Sequence, residues 1–300
     1  MSAPGPLSGR VGIVTGAGKG LGRAFALNLA AAGAAVVVNN RNRQVDEHGD
    51  GPADHVVREI RAAGGQAVAD HSDVADPGAP AAMLERALST WGRLDFLVAN
   101  AAISGPAMFH KLTDAQFDAV TAINLGGTAH LARCCSVHLR AAGFGRIVLI
   151  GSTAGLHGEP TASAYTASKG AVIALGRAIA VEGARRNVLT NVVLPYATTQ
   201  MTDSGMAQAY RQMMTPEAVA PVVTALVDPD CSLNGQVMVS AAGALRAAAA
   251  VEYGTVPLPS GGLSPDELAA LLERSRQHPP REYEQAVAGF LDFAAEISHD

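Results

Sequence analysis

Seven short runs of apolar, largely β-branched residues punctuate the chain, at 11–15, 35–39, 66–70, 95–99, 146–150, 188–194 and 236–240. They are continuous rather than alternating, which predicts strands covered on both faces, as in a parallel sheet between helices. The intervening stretches, 21–32, 53–63, 78–90, 114–142, 162–184 and 216–227, place Ala, Leu and charged residues at helical spacing. Strand and helix in alternation, joined by right-handed crossovers, predict an α/β protein with a doubly wound Rossmann fold and a seven-stranded parallel sheet. The polar, Gly-rich segment 41–52 reads as a surface loop inserted after the second strand.

The pattern changes beyond residue 240. Helices are expected near 264–276 and 280–298, so the chain divides into a catalytic domain over 1–245 and a C-terminal helical extension over 246–300. Leu268, Leu271 and Leu272, then Val287, Phe290, Leu291 and Phe293, form apolar stripes that need a partner. That partner is either the substrate cleft or another subunit, and a homo-oligomer, dimer or tetramer, is expected.

Composition narrows the function classes. The 300 residues are 48% hydrophobic and only 16% charged, ample for a large core, and the formal net charge is −5. With no long Lys/Arg run, nucleic acid and anionic membrane are not expected partners, whereas a small-molecule substrate is. Three cysteines, Cys134, Cys135 and Cys231, make neither a metal spacing nor a disulfide framework, and no metal is expected. The first ten residues lack the order of a signal peptide, and no run reaches the roughly 18 apolar residues of a spanning helix, so a cytoplasmic protein is expected.

The candidate chemistry begins where the first strand breaks into glycines. Thr15, Gly16, Ala17, Gly18, Lys19, Gly20, Leu21 and Gly22 have the spacing Thr-Gly-x-x-x-Gly-x-Gly, with Leu21 where a Gly-x-Gly-x-x-Gly fingerprint has its third glycine. A strand-to-helix turn without side chains lets backbone N–H groups approach a phosphate, so a dinucleotide is expected there. The second strand ends in Asn39, Asn40 and Arg41 rather than in an acid suited to a ribose 2′-hydroxyl. Arg41 and Lys19 could hold a 2′-phosphate, which favours NADP, while Asn40 could bond the 2′-hydroxyl of NAD. Asp73 and Val74, after the third strand, are candidates for the adenine amino group and ring face. Asn100 and Ala101, after the fourth, let a cofactor pass close to the backbone. Asn124 with Gly126 and Gly127 interrupts a helical pattern, which marks either a functional position or a helix boundary.

Ser152 follows the fifth strand, and Tyr165 and Lys169 stand at i and i+4 on the next helix, on one face. A free phenol has a pKa of about 10 and is only about one part in a thousand ionised near neutrality. A neighbouring Lys⁺, with a cationic nicotinamide, would bring it towards the working range, making Tyr165 a general acid–base. Ser152 would then bond the developing oxyanion. Downstream, the loop 196–215, with Met201, Met206, Met213 and Met214, reads either as a mobile lid over an apolar substrate or as core filling.

The glycine turn, Asp73-Val74, Asn100-Ala101, Asn124, Ser152 and Tyr165 with Lys169 together resemble the short-chain dehydrogenase/reductase family over about 8–240. The resemblance implies hydride transfer between a nicotinamide and a carbonyl or alcohol. It assigns the acid–base to Tyr165, the nicotinamide ribose to Lys169, substrate positioning to Ser152 and a relay water to Asn124. It also adds Pro195, Ala197 and Thr198 to the cofactor contacts. Within the family the chain is most similar to the (3R)-hydroxyacyl-CoA dehydrogenase module of peroxisomal multifunctional β-oxidation enzymes, through Val36 to Asn39, the 41–52 loop, the Pro195 to Thr202 run and the Asn-Gly-Gln at 234–236. It departs from that module at Asn40-Arg41, and from the family at Tyr196, which stands where the family has glycine. The implied substrate class is a 3-hydroxyacyl or 3-ketoacyl thioester; a steroid, polyketide or other bulky ketone is the enzymatic alternative. A dinucleotide-sensing protein without catalysis is the other.

Overall fold

The computed structural model describes residues 5–41, 45–200 and 208–297. They fall into two compact units, Met1–Ala247 and Ala248–Asp300. The first contains strands β1 (Val11–Val14), β2 (Ala35–Asn39), β3 (Gln66–Asp70), β4 (Phe96–Ala99), β5 (Gly145–Ile150), β6 (Val188–Pro195) and β7 (Val237–Ala241), followed by β8 (Ala244–Ala248). Its helices are α1 (Gly20–Ala31), α2 (Pro52–Ala62), α3 (Ala79–Trp91), α4 (Asp114–Thr121), α5 (Thr128–Ala142), α6 (Ala154–His157), α7 (Ser163–Gly183), α8 (Gln208–Arg211) and α9 (Ala220–Val227).

The sheet runs β3-β2-β1-β4-β5-β6-β7-β8, and every pairing from β3 to β7 is parallel. This is the expected α/β Rossmann sheet with one strand more than the seven anticipated. The extra strand β8 follows β7 after only Ala242 and Gly243, whose φ values are 49° and 72°. Two central residues with positive φ make the tight turn of a hairpin, and so short a connection can return only an antiparallel strand. β8 is exposed at most of its positions and its sequence is Ala-rich, which is why no apolar run announced it.

The core lies on both faces of the sheet. Val11 to Val14, Val36 to Val38 and Ile147 to Ile150 are buried, and Phe25, Leu29, Val223 and Leu226 pack onto them from α1 and α9. Gly12 is required by this packing: a Cβ there would stand 1.9 Å from the Phe96 ring. Truncating Phe25, which is fully buried, would cost about 3–5 kcal/mol in lost burial and cavity.

The expected helix over 114–142 is instead α4 and α5 joined by a π-helical segment, Ala122–Gly127. Asn124 lies within this segment, and its side chain bonds outside the helix, as described below. A Cβ on Gly127 would approach Val74 Cβ to 2.9 Å, so only glycine fits where the segment crosses the loop after β3.

The second unit carries α10 (Pro265–Arg276) and α11 (Ala286–Ile297). Ser264 caps α10, accepting from Glu267 N at 3.2 Å while Glu267 returns a carboxylate to Ser264 N at 2.8 Å, the reciprocal capping box. The helix expected from 280 starts at Ala286 because Arg281 is engaged in an antiparallel bridge to Glu252, with N–H to O distances of 2.8 and 3.0 Å. The Arg281 guanidinium then ties back to Asp292 and Glu296 on α11, each at 2.6 Å. Leu271 is buried, whereas Leu268, Leu272, Val287, Phe290, Leu291 and Phe293 are exposed. Among the described residues no helix is long and apolar enough to cross a membrane, and no group of three or more His, Cys, Asp or Glu could hold a metal ion.

Candidate active site

The strand order reverses between β1 and β4, and in such sheets the crevice for a ligand opens at the carboxyl ends of the strands at that point. A cavity of about 530 Å³ lies there, lined by Gly16, Lys19, Gly20, Leu21, Gly22 and Asn40 on one side and by Ser152, Tyr165, Lys169, Pro195, Tyr196 and Ala197 on the other. Asn100 and Ala101 form its floor. The site therefore draws on the ends of β1, β2, β4, β5 and β6.

The glycine turn is built by a staple between β1 and β4. Thr15 Oγ1 accepts from the backbone N–H of Asn100 and Ala101 at 3.0 and 3.1 Å, while Asn100 Nδ2 donates to Thr15 O at 2.9 Å. Gly16 has φ of 62°, and a Cβ on Gly22 would lie 2.3 Å from Gly16 O. The turn is thus closed tightly enough that side chains are excluded from it. Helix α1 then begins at Gly20 with no side-chain cap at Lys19 and no acid in its first turn. Helix N-terminal N–H groups lacking a cap suit a bound phosphate, so this end of the cavity fits the pyrophosphate of a dinucleotide. Gly18 faces elsewhere, with a Cβ position 2.5 Å from Pro52 Cβ and 2.8 Å from Asn40 Cγ. Its smallness lets the start of α2 close over the turn.

At the other end, Lys169 is 2% exposed and donates from Nζ to Ile150 O at 2.7 Å. Burial pushes its ammonium down to about 8. Its Nζ lies 5.8 Å from the centroid of the Tyr165 ring. The Tyr165 hydroxyl is hydrogen-bonded with Ser152; burial pushes the phenol above its ordinary value and the Ser152 contact opposes that. Desolvation of the ring outweighs that contact, and the expected shift towards neutrality invokes a cationic nicotinamide as well as Lys169.

Asn124 is fully buried and does not line the cavity. Its Oδ1 accepts from Ile103 N at 2.8 Å, and its Nδ2 donates to Ile103 O at 2.9 Å and to Ser168 Oγ at 3.1 Å. Ser168 Oγ in turn donates to Tyr165 O at 2.7 Å. The Asn124 side chain thus clamps the loop after β4 to the helix that carries Tyr165. Ser168 escaped sequence reasoning; its one signal was a serine three residues after Tyr165 on an otherwise small, apolar helix face.

Other expected contacts are distributed less evenly. Pro195 and Ala197 line the cavity, but Thr198 turns to the 211–214 segment, its N–H donating to Met214 O at 2.6 Å, and Thr199 and Gln200 take the lining positions. Val74 is buried against Gly127. Arg41 and Asp73 do not face the cavity singly: Arg41 Nη1 meets Asp73 Oδ2 at 2.7 Å. Of the expected lid, Met201 and Met206 lie outside the described residues, while Met213 is half-exposed and Met214 less so.

This geometry is matched by known proteins. The family model described as short chain dehydrogenase matches residues 10–214. The chain belongs to the short-chain dehydrogenase family. A protein of Mycobacterium tuberculosis named as a short-chain type dehydrogenase/reductase is 40% identical over 239 residues, covering 79% of this chain and 84% of the relative. Peroxisomal multifunctional enzyme type 2 of Drosophila melanogaster is 39% identical over 239 residues, covering 78% of this chain but only 39% of that longer protein. The crystal structure of a short chain dehydrogenase from Mycobacterium avium superposes with a TM-score of 0.80 at 35% identity, over 93% of this chain and 99% of that one. The chain is therefore an oxidoreductase of this family, which works with NAD or NADP.

Proposed function

We propose that this short-chain dehydrogenase interconverts a secondary alcohol and a ketone on a 3-hydroxyacyl/3-ketoacyl thioester, with Tyr165 as general acid–base. The observation that carries the reading is the convergence of Ser152, Tyr165 and Lys169 on one cavity whose opposite end is the uncapped N-terminus of α1. The bound nicotinamide would exchange a hydride with the substrate carbon. In the oxidation direction Tyr165 Oη takes the hydroxyl proton as that hydride leaves, and in reduction it returns the proton to the carbonyl oxygen. Ser152 orients the substrate oxygen through the hydrogen bond it otherwise shares with Tyr165. Lys169, held to Ile150 O, supplies a nearby ammonium that favours phenolate, and the clamp through Ser168 and Asn124 fixes the helix turn beneath.

The thioester preference is supported by the similarity to the peroxisomal multifunctional enzymes and by a cavity with a largely apolar wall. Tyr196, about 43% exposed at its edge, narrows the substrate end. A panel of 3-ketoacyl thioesters, steroids and simple ketones assayed with both reduced nucleotides tests the reading. The thioesters are expected to give the highest kcat/KM, and faster turnover of a cyclic ketone overturns the substrate class.

A further inference from the structure

We propose that Glu159 makes the substrate end of the cavity a charge filter, admitting ketones that are neutral beside the reacting carbon and turning away those that carry a carboxylate there. The filter rests on the reading of this cavity as the site of ketone reduction and alcohol oxidation, and it deepens that reading by separating a 3-ketoacyl thioester from the free 3-keto acid. Glu159 lines the cavity, and among the described lining residues it alone carries a carboxylate. The two ammonium groups of the lining are otherwise placed: Lys19 is in the glycine turn, and Lys169 is buried on Ile150 O.

The backbone fixes where Glu159 stands. Gly158, with φ of 77°, closes α6 by donating from its N–H to Ala154 O at 2.9 Å. Glu159 to Ala162 then form a β-turn, closed by Ala162 N–H to Glu159 O at 3.2 Å, with Pro160 at its second position. Thr161 holds the third position with φ of 63°, where glycine is the usual residue. A β-branched residue at positive φ is strained, and Ala107 N–H holds it there by donating to Thr161 O at 2.7 Å. Ala162 O in turn accepts from Thr166 N at 2.7 Å, which seats the turn on the start of the helix carrying Tyr165. Strained backbone of this kind gathers at ligand sites, and the side chain this turn delivers to the cavity is Glu159.

Charge then decides what enters. Glu159 is exposed, so it stands at the mouth, and its carboxylate has no hydrogen-bond or ion-pair partner among the described residues. A free 3-keto acid carries its own carboxylate two carbons from the carbonyl that reacts. Binding it brings two like charges together where part of the solvent is excluded, which strengthens their repulsion. Thioesterification removes that charge and leaves a neutral carbonyl, and an amide N–H on the thiol arm is a donor to Glu159. Glu159 acts on which ketone is taken up, and the proton stays with Tyr165.

Initial rates of reduction at low ionic strength test this with two pairs of ketones: acetoacetate against the N-acetylcysteamine thioester of the same acid, and 4-oxocyclohexanecarboxylate against cyclohexanone. The readout is the ratio of kcat/KM for the anion to that for its neutral partner, which is internal to each protein and insensitive to any loss of folded enzyme. The wild type should favour the neutral member of each pair it turns over. The ratio should rise about fivefold in Glu159→Gln and further in Glu159→Lys, and it should rise with added salt more steeply in the wild type than in Glu159→Gln. A wild type that favours the anion, a ratio that both variants leave unchanged, or equal salt responses overturns this proposal alone. Turnover of the cyclic pair only overturns the thioester as substrate class, and the filter is then judged by the same ratio on that pair. Turnover of neither pair overturns both.

Discussion

The two ends of the sheet treat charge in opposite ways. At the amino edge, buried Asp95 accepts from Arg10 Nη1 at 2.9 Å, from Arg93 Nε and Nη2 at 2.9 and 2.7 Å, and from Val11 N at 2.9 Å. Burial pushes its carboxyl up, but Arg93, Val11 N–H and Arg10 together hold it below the usual carboxylate range. The Arg10 and Arg146 guanidiniums each lie 4.5 Å from the Phe144 ring. At the carboxyl edge, Lys169 is as deeply buried as Asp95, yet its Nζ donates to a neutral carbonyl, Ile150 O. Saturated charge holds a structure together; buried charge without a counter-ion is tolerated where it acts on a neighbouring group. Inverting either arrangement gives the tests that follow.

The largest effect belongs to the carboxyl edge. Tyr165→Phe removes the only titrating atom of the proposed acid–base and should lower kcat by about 10²–10⁴-fold, with nucleotide dissociation constants nearly unchanged. Steady-state kinetics and calorimetry check the two halves, and turnover close to wild type sinks the mechanism. Because burial raises the phenol, oxidation by the wild type, which needs phenolate, should rise with pH through the neutral range.

The counterpart at the amino edge reads out in stability. Asp95→Ala strips two arginines and a strand N–H of their acceptor and should cost about 2–4 kcal/mol in urea unfolding. KM for substrate should stay constant in the folded fraction. A large change in KM with little loss of stability would mean that the two edges are not separate in function.

Lys169→Met tests the unbalanced charge itself, and its sign differs. The folded pKa of about 8 lies below the ordinary 10.5, so the unfolded chain holds that proton more tightly between the two values. The cost of burying the ammonium is therefore full below about pH 8 and is relieved as pH rises towards the unfolded value. The variant should be about 2 kcal/mol more stable than wild type near pH 6, allowing for the carbonyl it leaves unpaired, with the gap closing above about pH 8. Its kcat should fall at every pH. Equal stabilities across this range would show that Lys169 is balanced after all.

Most of the architecture was legible because its physics is local. Continuous valines and isoleucines mark strands buried on both faces, and a strand that breaks into glycine before an amphipathic helix marks the phosphate end. Ser152, Tyr165 and Lys169 could be read because strand end and helix spacing fix where they point. What could not be read depends on partners distant in sequence. Arg41 looked available because Asp73 is remote in the chain, and the clamp through Asn124 could not be read because its side-chain bonds reach Ile103 and Ser168. β8 has little burial to write into its sequence, and its hairpin turn uses Ala242 at a positive φ instead of the Asn or Gly that would have announced it.

Ser168→Ala is the smallest perturbation, and it asks whether the clamp serves chemistry or only packing. Losing two hydrogen bonds, one from Asn124 Nδ2 and one to Tyr165 O, should cost about 1 kcal/mol of stability, because each is worth little net and the cavity left by one oxygen is small. Stability alone does not separate the two roles, since a structural serine would cost as much. The separation lies in kinetics: a looser turn beneath Tyr165 misplaces Oη in the transition state more than it weakens substrate binding. The variant should then lose several-fold in kcat with KM nearly constant, and Ser168→Thr, which restores the hydroxyl, should recover part of it. A change confined to stability would leave the clamp as packing and place the whole of the catalytic geometry in Ser152, Tyr165 and Lys169.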